Sequence, residues 1–146
     1  LNLDPALRER HYGVMQGLSH QEIADHHPEN HQAWKKRDIH FQPENGESLA
    51  QFNDRVVTAI ASWAKKYAGQ EIAIVAHGGV LDCLNRAARK VALDVARDFE
   101  ILNASLNTLT YRDEQFALVH WGDVNHLTES QGQPSKSLDE VDGSPR

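Results

Sequence analysis

The stretch Ile72-Ala73-Ile74-Val75-Ala76-His77-Gly78-Gly79-Val80 decides the fold. Its first five residues are apolar without interruption, and three of them are β-branched. Such a run suits a strand buried on both faces, and strands of that kind occupy the interior of parallel sheets covered by helices. His77-Gly78-Gly79 breaks the run. From Val80 to Val91 the apolar residues Leu81, Leu84 and Ala88 then return at helical spacing. Strand, glycine turn and helix in succession point to an α/β domain, in which ligands bind beyond the carboxyl ends of the strands. His77 stands at that end.

Upstream, Leu49, Phe52, Val56, Ile60 and Trp63 mark one apolar stripe at three-to-four spacing, with Ser48 as N-cap and Gly69 as the stop. Further back, Ser19-His20-Gln21-Glu22 reads as a capping box. It predicts a short helix to His26 or His27, stopped by Pro28. A second short helix is expected over His31–Arg37, anchored by Trp34, before the turn cluster Gln42–Gly46. Downstream of Ser105 the period becomes two. Leu106, Thr108 and Thr110 alternate with Asn107, Leu109 and Tyr111, Arg112-Asp113-Glu114 turns the chain, and Gln115–Trp121 returns as a hairpin arm. The expected fold class is α/β, with helices layered around a mainly parallel sheet. Residues 1–127 form the expected domain, and 128–146 an expected polar, disordered tail, rich in Ser, Gln, Gly, Pro, Asp and Glu.

The chain has 146 residues, with 15 Lys+Arg against 21 Asp+Glu and a formal charge of −6. That balance argues against a nucleic-acid groove or an anionic membrane surface as partner, both of which need clustered Lys/Arg. No apolar run approaches the roughly 20 residues needed to cross a bilayer. Cys83 is the single cysteine, which rules out an intrachain disulfide and makes a reducing, cytoplasmic setting the simpler expectation.

Three segments carry candidate chemistry. At His77-Gly78-Gly79 an imidazole lies beside the free amides of a helix start, a cradle that suits phosphate; the local pattern equally allows a His that only caps the strand. Leu7-Arg8-Glu9-Arg10-His11-Tyr12-Gly13 through Gly17 combines an acid, two Arg, a His and a Tyr, able to donate a proton and clamp an anion, or simply to form a solvated charged loop. Pro43-Glu44-Asn45-Gly46-Glu47-Ser48 most simply turns the chain into a capped helix. Nine His invite a metal reading, but Pro28 interrupts the helix that would align His26, His27 and His31, and no His-Glu-x-x-His occurs. No metal and no cofactor are expected. Cys83, inside the apolar stripe after His77, reads as a buried small hydrophobe.

In this order the segments resemble the histidine phosphatase superfamily, also called the phosphoglycerate mutase-like family. Glu-Arg-His-Tyr-Gly…Gln-Gly (Glu9 to Gly17), Gly-Glu-Ser (Gly46 to Ser48), Val-Ala-His-Gly-Gly-Val (Val75 to Val80) and Asn-Ala-Ser-Leu-Asn (Asn103 to Asn107) match four of its motifs. The resemblance implies that Glu9 gives and takes the proton at the leaving oxygen, and that His77 hydrogen-bonds the transferring phosphoryl group. It places Arg10, Tyr12 and Gly78 at the substrate, a small phosphorylated metabolite. It also implies a nucleophilic His in an Arg-His-Gly motif that is found nowhere in this chain, and which is expected upstream of Leu1 on a strand bordering Ile72–Ala76. Without that strand the apolar run would be an exposed edge, which invites a homodimer or a strand-swapped oligomer, and the chain alone would be inactive.

The implied activity is metal-independent phosphomonoester hydrolysis through a phosphohistidine. Phosphoglycerate mutase is the alternative within the family, disfavoured by the short Gly17–Gly46 segment and by Gly79-Val80 after His77-Gly78. A non-catalytic fragment or phosphate-binding module is the alternative outside enzymology.

Overall fold

The computed structural model describes residues 1–128. Two of its α-helices, the first and the third, start on side-chain caps. α1 (His20–His26) opens on the capping box, with Ser19 accepting from the Glu22 amide and the Glu22 side chain reaching back to the Ser19 amide. α2 spans Pro28–Lys35 and not the later stretch expected, because Pro28 has no N–H to satisfy and its fixed φ suits a first helical turn. The same proline therefore ends α1 and begins α2, with His27 as the shared cap.

α3 (Leu49–Lys66) opens on a second capping box, between Ser48 and Gln51, and buries Phe52, Val56 and Ile60 from the stripe. Leu49 and Trp63 are half-buried at its two ends, where Trp63 Nε1 donates to Asp4 at 2.6 Å. α4 (Gly78–Arg89) has His77 as N-cap and buries Val80, Cys83 and Leu84 against α3. Burial pushes the Cys83 thiol well up, with the charges of Asp82 and Glu9 adding to it, so it behaves as a small hydrophobe.

β1 (Leu106–Arg112) and β2 (Gln115–Asp123) form an antiparallel hairpin in which Arg112 pairs with Gln115. Asp113 and Glu114 both take positive φ, as a two-residue hairpin turn matched to strand twist requires. Asn107, Leu109 and Tyr111 form the inner face of β1. Phe116 enters the core beside Tyr111, their rings 4.6 Å apart. A single helical turn, α5 (Asn125–Thr128), follows. The core is thus the α3–α4 pair closed by the hairpin.

The Ile72–Ala76 run departs from expectation. Among the described residues the only sheet is the β1–β2 hairpin, and this run pairs with no strand. A strand buried on both faces needs neighbours on both edges, and none lies alongside. Val75 is consequently 99% exposed, and Ile72 and Ile74 are also exposed. The mainly parallel sheet is therefore not formed by these residues, while the mixed α/β character is. The polar tail expected over 128–146 lies, beyond Thr128, outside the described residues. No helix among the described residues is long and apolar enough to cross a membrane.

Phe52 is essentially fully buried at the α3–α4 contact. Phe52→Ala is expected to lower unfolding free energy by about 3–5 kcal/mol, read as a shift of the urea midpoint with an unchanged slope.

Candidate functional site

The three motif segments meet in one place because two loops are tied together through their backbones. Glu47 N donates to His11 O at 2.9 Å and Val14 N donates to Glu44 O at 3.0 Å. Gly13 sits at φ +55°, and a Cβ there would fall 2.0 Å from Glu44 O, so only glycine permits this approach. Gly46 faces it from the other loop, where a Cβ would lie 2.8 Å from His11 O.

Glu47 and Arg55 lock the junction. Arg55, on α3, donates from Nη2 to Glu47 Oε1 at 2.5 Å and from Nε to Glu47 Oε2 at 3.2 Å. Its Nη1 serves the carbonyls of Ala6 and Arg8 at 2.7 and 3.1 Å. The His11 amide adds a third donor to Glu47 at 2.9 Å. Burial works against the Glu47 carboxylate, but the hydrogen bonds from Arg55 and the His11 amide outweigh it and hold its pKa below the usual value.

The junction delivers Glu9 to the start of α4. Glu9 Oε2 accepts from the Gly79 amide at 2.9 Å, and Oε1 accepts from the Arg10 amide at 2.7 Å. A Cβ on Gly79 would lie 2.3 Å from Glu9 Oε1 and 3.0 Å from the Phe52 ring. Glycine at 79 is therefore the condition for the carboxylate to reach the helix end. His77 is exposed at the same end, in extended backbone.

These residues line one cleft of about 1380 Å³. Glu9, His77, Arg10 and Tyr12 are all on its wall, with the Arg10 guanidinium 5.2 Å from the Tyr12 ring centre. Gly78 opens α4 without lining the cleft, whereas the adjacent Gly79 lines it. His20, stacked on Trp34 at 4.5 Å, lines the α1–α2 side. Four arginines (8, 10, 55 and 97) line the cleft against three carboxylates (Glu9, Glu47 and Asp82), in a chain whose overall charge is −6. Arginine side chains and a helix N-terminus together favour an anionic ligand. Among the described residues no three His, Cys, Asp or Glu side chains gather as a metal-binding group.

Sequence reasoning passed over Arg55, Asp82 and Arg97. Arg55 occupies the polar side of an amphipathic helix, where a charge is unremarkable. Asp82 left a trace: an acid inside an apolar stripe, four residues before Arg86. Arg97 left none.

A model of the histidine phosphatase superfamily (branch 1) matches residues 1–124. The chain belongs to that superfamily. It is 40% identical over 130 residues to phosphoglycerate mutase-like protein 4 of Arabidopsis thaliana, covering 87% of this chain and 55% of that protein. To a metal-independent phosphoserine phosphatase of the same plant it is 37% identical over 126 residues, 85% of this chain and 51% of the relative. Among solved structures, Bacillus stearothermophilus YhfR superposes with a TM-score of 0.74 at 28% identity, over 85% of this chain and 62% of that one. A mycobacterial glucosyl-3-phosphoglycerate phosphatase in complex with inorganic phosphate superposes at 0.60 and 27% identity, over 82% and 63%. The chain thus spans about half the length of the curated relatives it matches.

The depressed Glu47 pKa fixes a pH dependence. A carboxylate whose folded pKa is below its unfolded value of 4.5 stabilises the fold above that value, and the contribution is lost as pH falls through the folded pKa. Wild type is expected to be more stable than Glu47→Gln by a constant margin from pH 7 to pH 5.5. The margin should shrink below about pH 4.5, as urea midpoints across that series would show.

Proposed function

We propose that this chain is the larger part of a metal-independent phosphomonoesterase acting on a small phosphorylated metabolite through a phosphohistidine intermediate, in the reducing setting that suits the lone Cys83 thiol. The observation that carries the reading is the Gly79–Glu9 contact, which sets a carboxyl group beside an exposed His at a helix N-terminus inside an arginine-rich cleft. In this reading His77 and the arginines neutralise the transferring phosphoryl group, and Arg10 and Tyr12 bind substrate near the α4 start opened by Gly78. Glu9 protonates the leaving oxygen and then activates water. Phosphoryl transfer asks mainly for positioning and charge stabilisation, which such a site supplies without a metal. The metal-independent phosphoserine phosphatase and the glucosyl-3-phosphoglycerate phosphatase among the similar proteins support hydrolysis, while others among them are named phosphoglycerate mutases.

The nucleophilic His, in this proposal, comes from a segment of the protein preceding Leu1 that pairs with Ile72–Ala76 and completes a mainly parallel sheet. Two features support it. The apolar run is exposed, and the cleft exceeds the roughly 300–1000 Å³ of an ordinary small-molecule site, leaving room for chain as well as substrate.

The protein carrying that segment is expected to hydrolyse p-nitrophenyl phosphate in the presence of a chelator. His77→Ala and Glu9→Gln should each lower kcat by about a hundredfold or more. Loss of activity on chelation, or indifference to both substitutions, overturns the reading. Turnover by the 146-residue chain alone that requires His77 overturns the placement of the nucleophile. A tenfold stimulation by 2,3-bisphosphoglycerate of mutase over phosphatase activity would favour phosphoglycerate mutase instead.

The exposed run also predicts self-association of the chain by itself, as a homodimer or strand-swapped oligomer. Sedimentation should give a mass above 16.4 kDa, returned to monomer by Val75→Lys; a monodisperse wild-type monomer with a cooperative melt would contradict this.

A further inference from the structure

We infer that Arg55 is a positioning residue for the proton donor: it fixes the peptide unit that carries Glu9, and so matters most for esters whose leaving oxygen must be protonated. The inference rests on the phosphomonoesterase reading above.

A glutamate carboxyl group hangs on several torsions, so its direction is set only when backbone and tip are both held. Glu9 is held in both places. At the tip, Oε2 accepts from the Gly79 amide at 2.9 Å. At the root, Arg55 Nη1 donates to Arg8 O at 3.1 Å. That carbonyl and the Glu9 amide nitrogen belong to one planar peptide unit. The guanidinium therefore orients the backbone from which the Glu9 side chain leaves. The same Nη1 donates to Ala6 O at 2.7 Å and extends the hold back along the segment.

Arg55 is itself anchored. Its Nη2 and Nε grip Glu47 at 2.5 and 3.2 Å, and its Cζ lies 5.0 Å from the Phe52 ring centre. Phe52 is also the ring that a Cβ on Gly79 would meet at 3.0 Å. One buried side chain thus abuts both the group that holds the root of Glu9 and the residue that holds its tip. Two further ties keep the segment along α3. Trp63 Nε1 donates to Asp4 at 2.6 Å, and Arg10 Nε donates to Glu47 O at 3.2 Å.

Arg55 lines the cleft, yet Nε, Nη1 and Nη2 are all engaged with protein acceptors. Its charge reaches the cleft while its hydrogen bonds serve the backbone, which separates it from a phosphate clamp.

The chemistry says where such a residue shows. Transfer to the nucleophilic His breaks the P–O ester bond, and the departing oxygen takes the proton of the Glu9 carboxyl group. p-Nitrophenolate is stable enough to leave without that proton, whereas an alkoxide is not. A misdirected Glu9 therefore slows alkyl esters selectively.

The test uses the full protein that turns over p-nitrophenyl phosphate. It compares kcat/KM for that ester with kcat/KM for benzyl phosphate, which offers a similar ring and an alkoxide leaving group. Arg55→Lys keeps a cation for Glu47 but cannot fork to the two carbonyls. It should lower kcat/KM for benzyl phosphate about tenfold more than for p-nitrophenyl phosphate. The double variant Arg55→Met with Glu47→Gln leaves neither charge unpaired and should act alike, so it decides the matter if Arg55→Lys is insoluble. Glu9→Gln should show the same selectivity. Arg55→Lys added to Glu9→Gln should then cost benzyl phosphate nothing more, because effects that pass through one group do not add. A merely structural loss lowers both esters alike. Equal losses on both esters, or full additivity with Glu9→Gln, overturn the inference and leave the phosphatase reading standing. Absence of His77-dependent turnover on both esters overturns the reading itself, and this inference with it.

Discussion

Everything in the cleft depends on the contact between Glu47 and Arg55. A carboxylate at the end of one loop and a guanidinium on α3 satisfy each other through two hydrogen bonds. The donors left on Arg55 hold the carbonyls of Ala6 and Arg8, which belong to the approach to Glu9. One side chain thereby ties the N-terminal loop, the loop before α3 and α3 itself. Paired charges of this kind are costly to break singly, because the survivor remains partly buried without its partner. The lock therefore specifies geometry more than it adds stability. Its geometric product is the position of the Glu9 carboxylate.

Glycine does the complementary work by absence. Gly13 and Gly46 let two backbones touch, and Gly79 lets Glu9 enter the first turn of α4. At each place a methyl group would occupy space already taken by a carbonyl, an amide or a carboxylate. The arginines and the α4 N-terminus then surround an acid with groups that favour anions, an arrangement suited to phosphoryl transfer by positioning and charge stabilisation.

Much of the local structure was legible beforehand. The Ser19–Glu22 capping box, the Ser48 cap, the α3 stripe, the α4 helix after His77 and the hairpin about Asp113-Glu114 follow from residues within a few positions of one another. Pro28 was legible only by half, because a residue that stops one helix also suits the first turn of the next. The Ile72–Ala76 run shows the limit most plainly. Its composition expresses a demand for neighbouring strands on both sides, yet among the described residues no neighbour exists, and Val75 stands in solvent. Apolar patterning states what a segment requires of its surroundings and cannot supply them.

The sequence by itself determined the secondary elements, the family motifs and the residue types available for chemistry, because caps, periodicity and turn preferences act over one or two helical turns. Only the tertiary structure decided which groups meet. Glu9 and the Gly79 amide are 70 positions apart, and Asp82 and Arg97 are 15 apart across a loop. No spacing rule reaches those distances. They are set by how α3 packs on α4 and by the backbone contact at Gly13 and Gly46, where shape complementarity selects the partners.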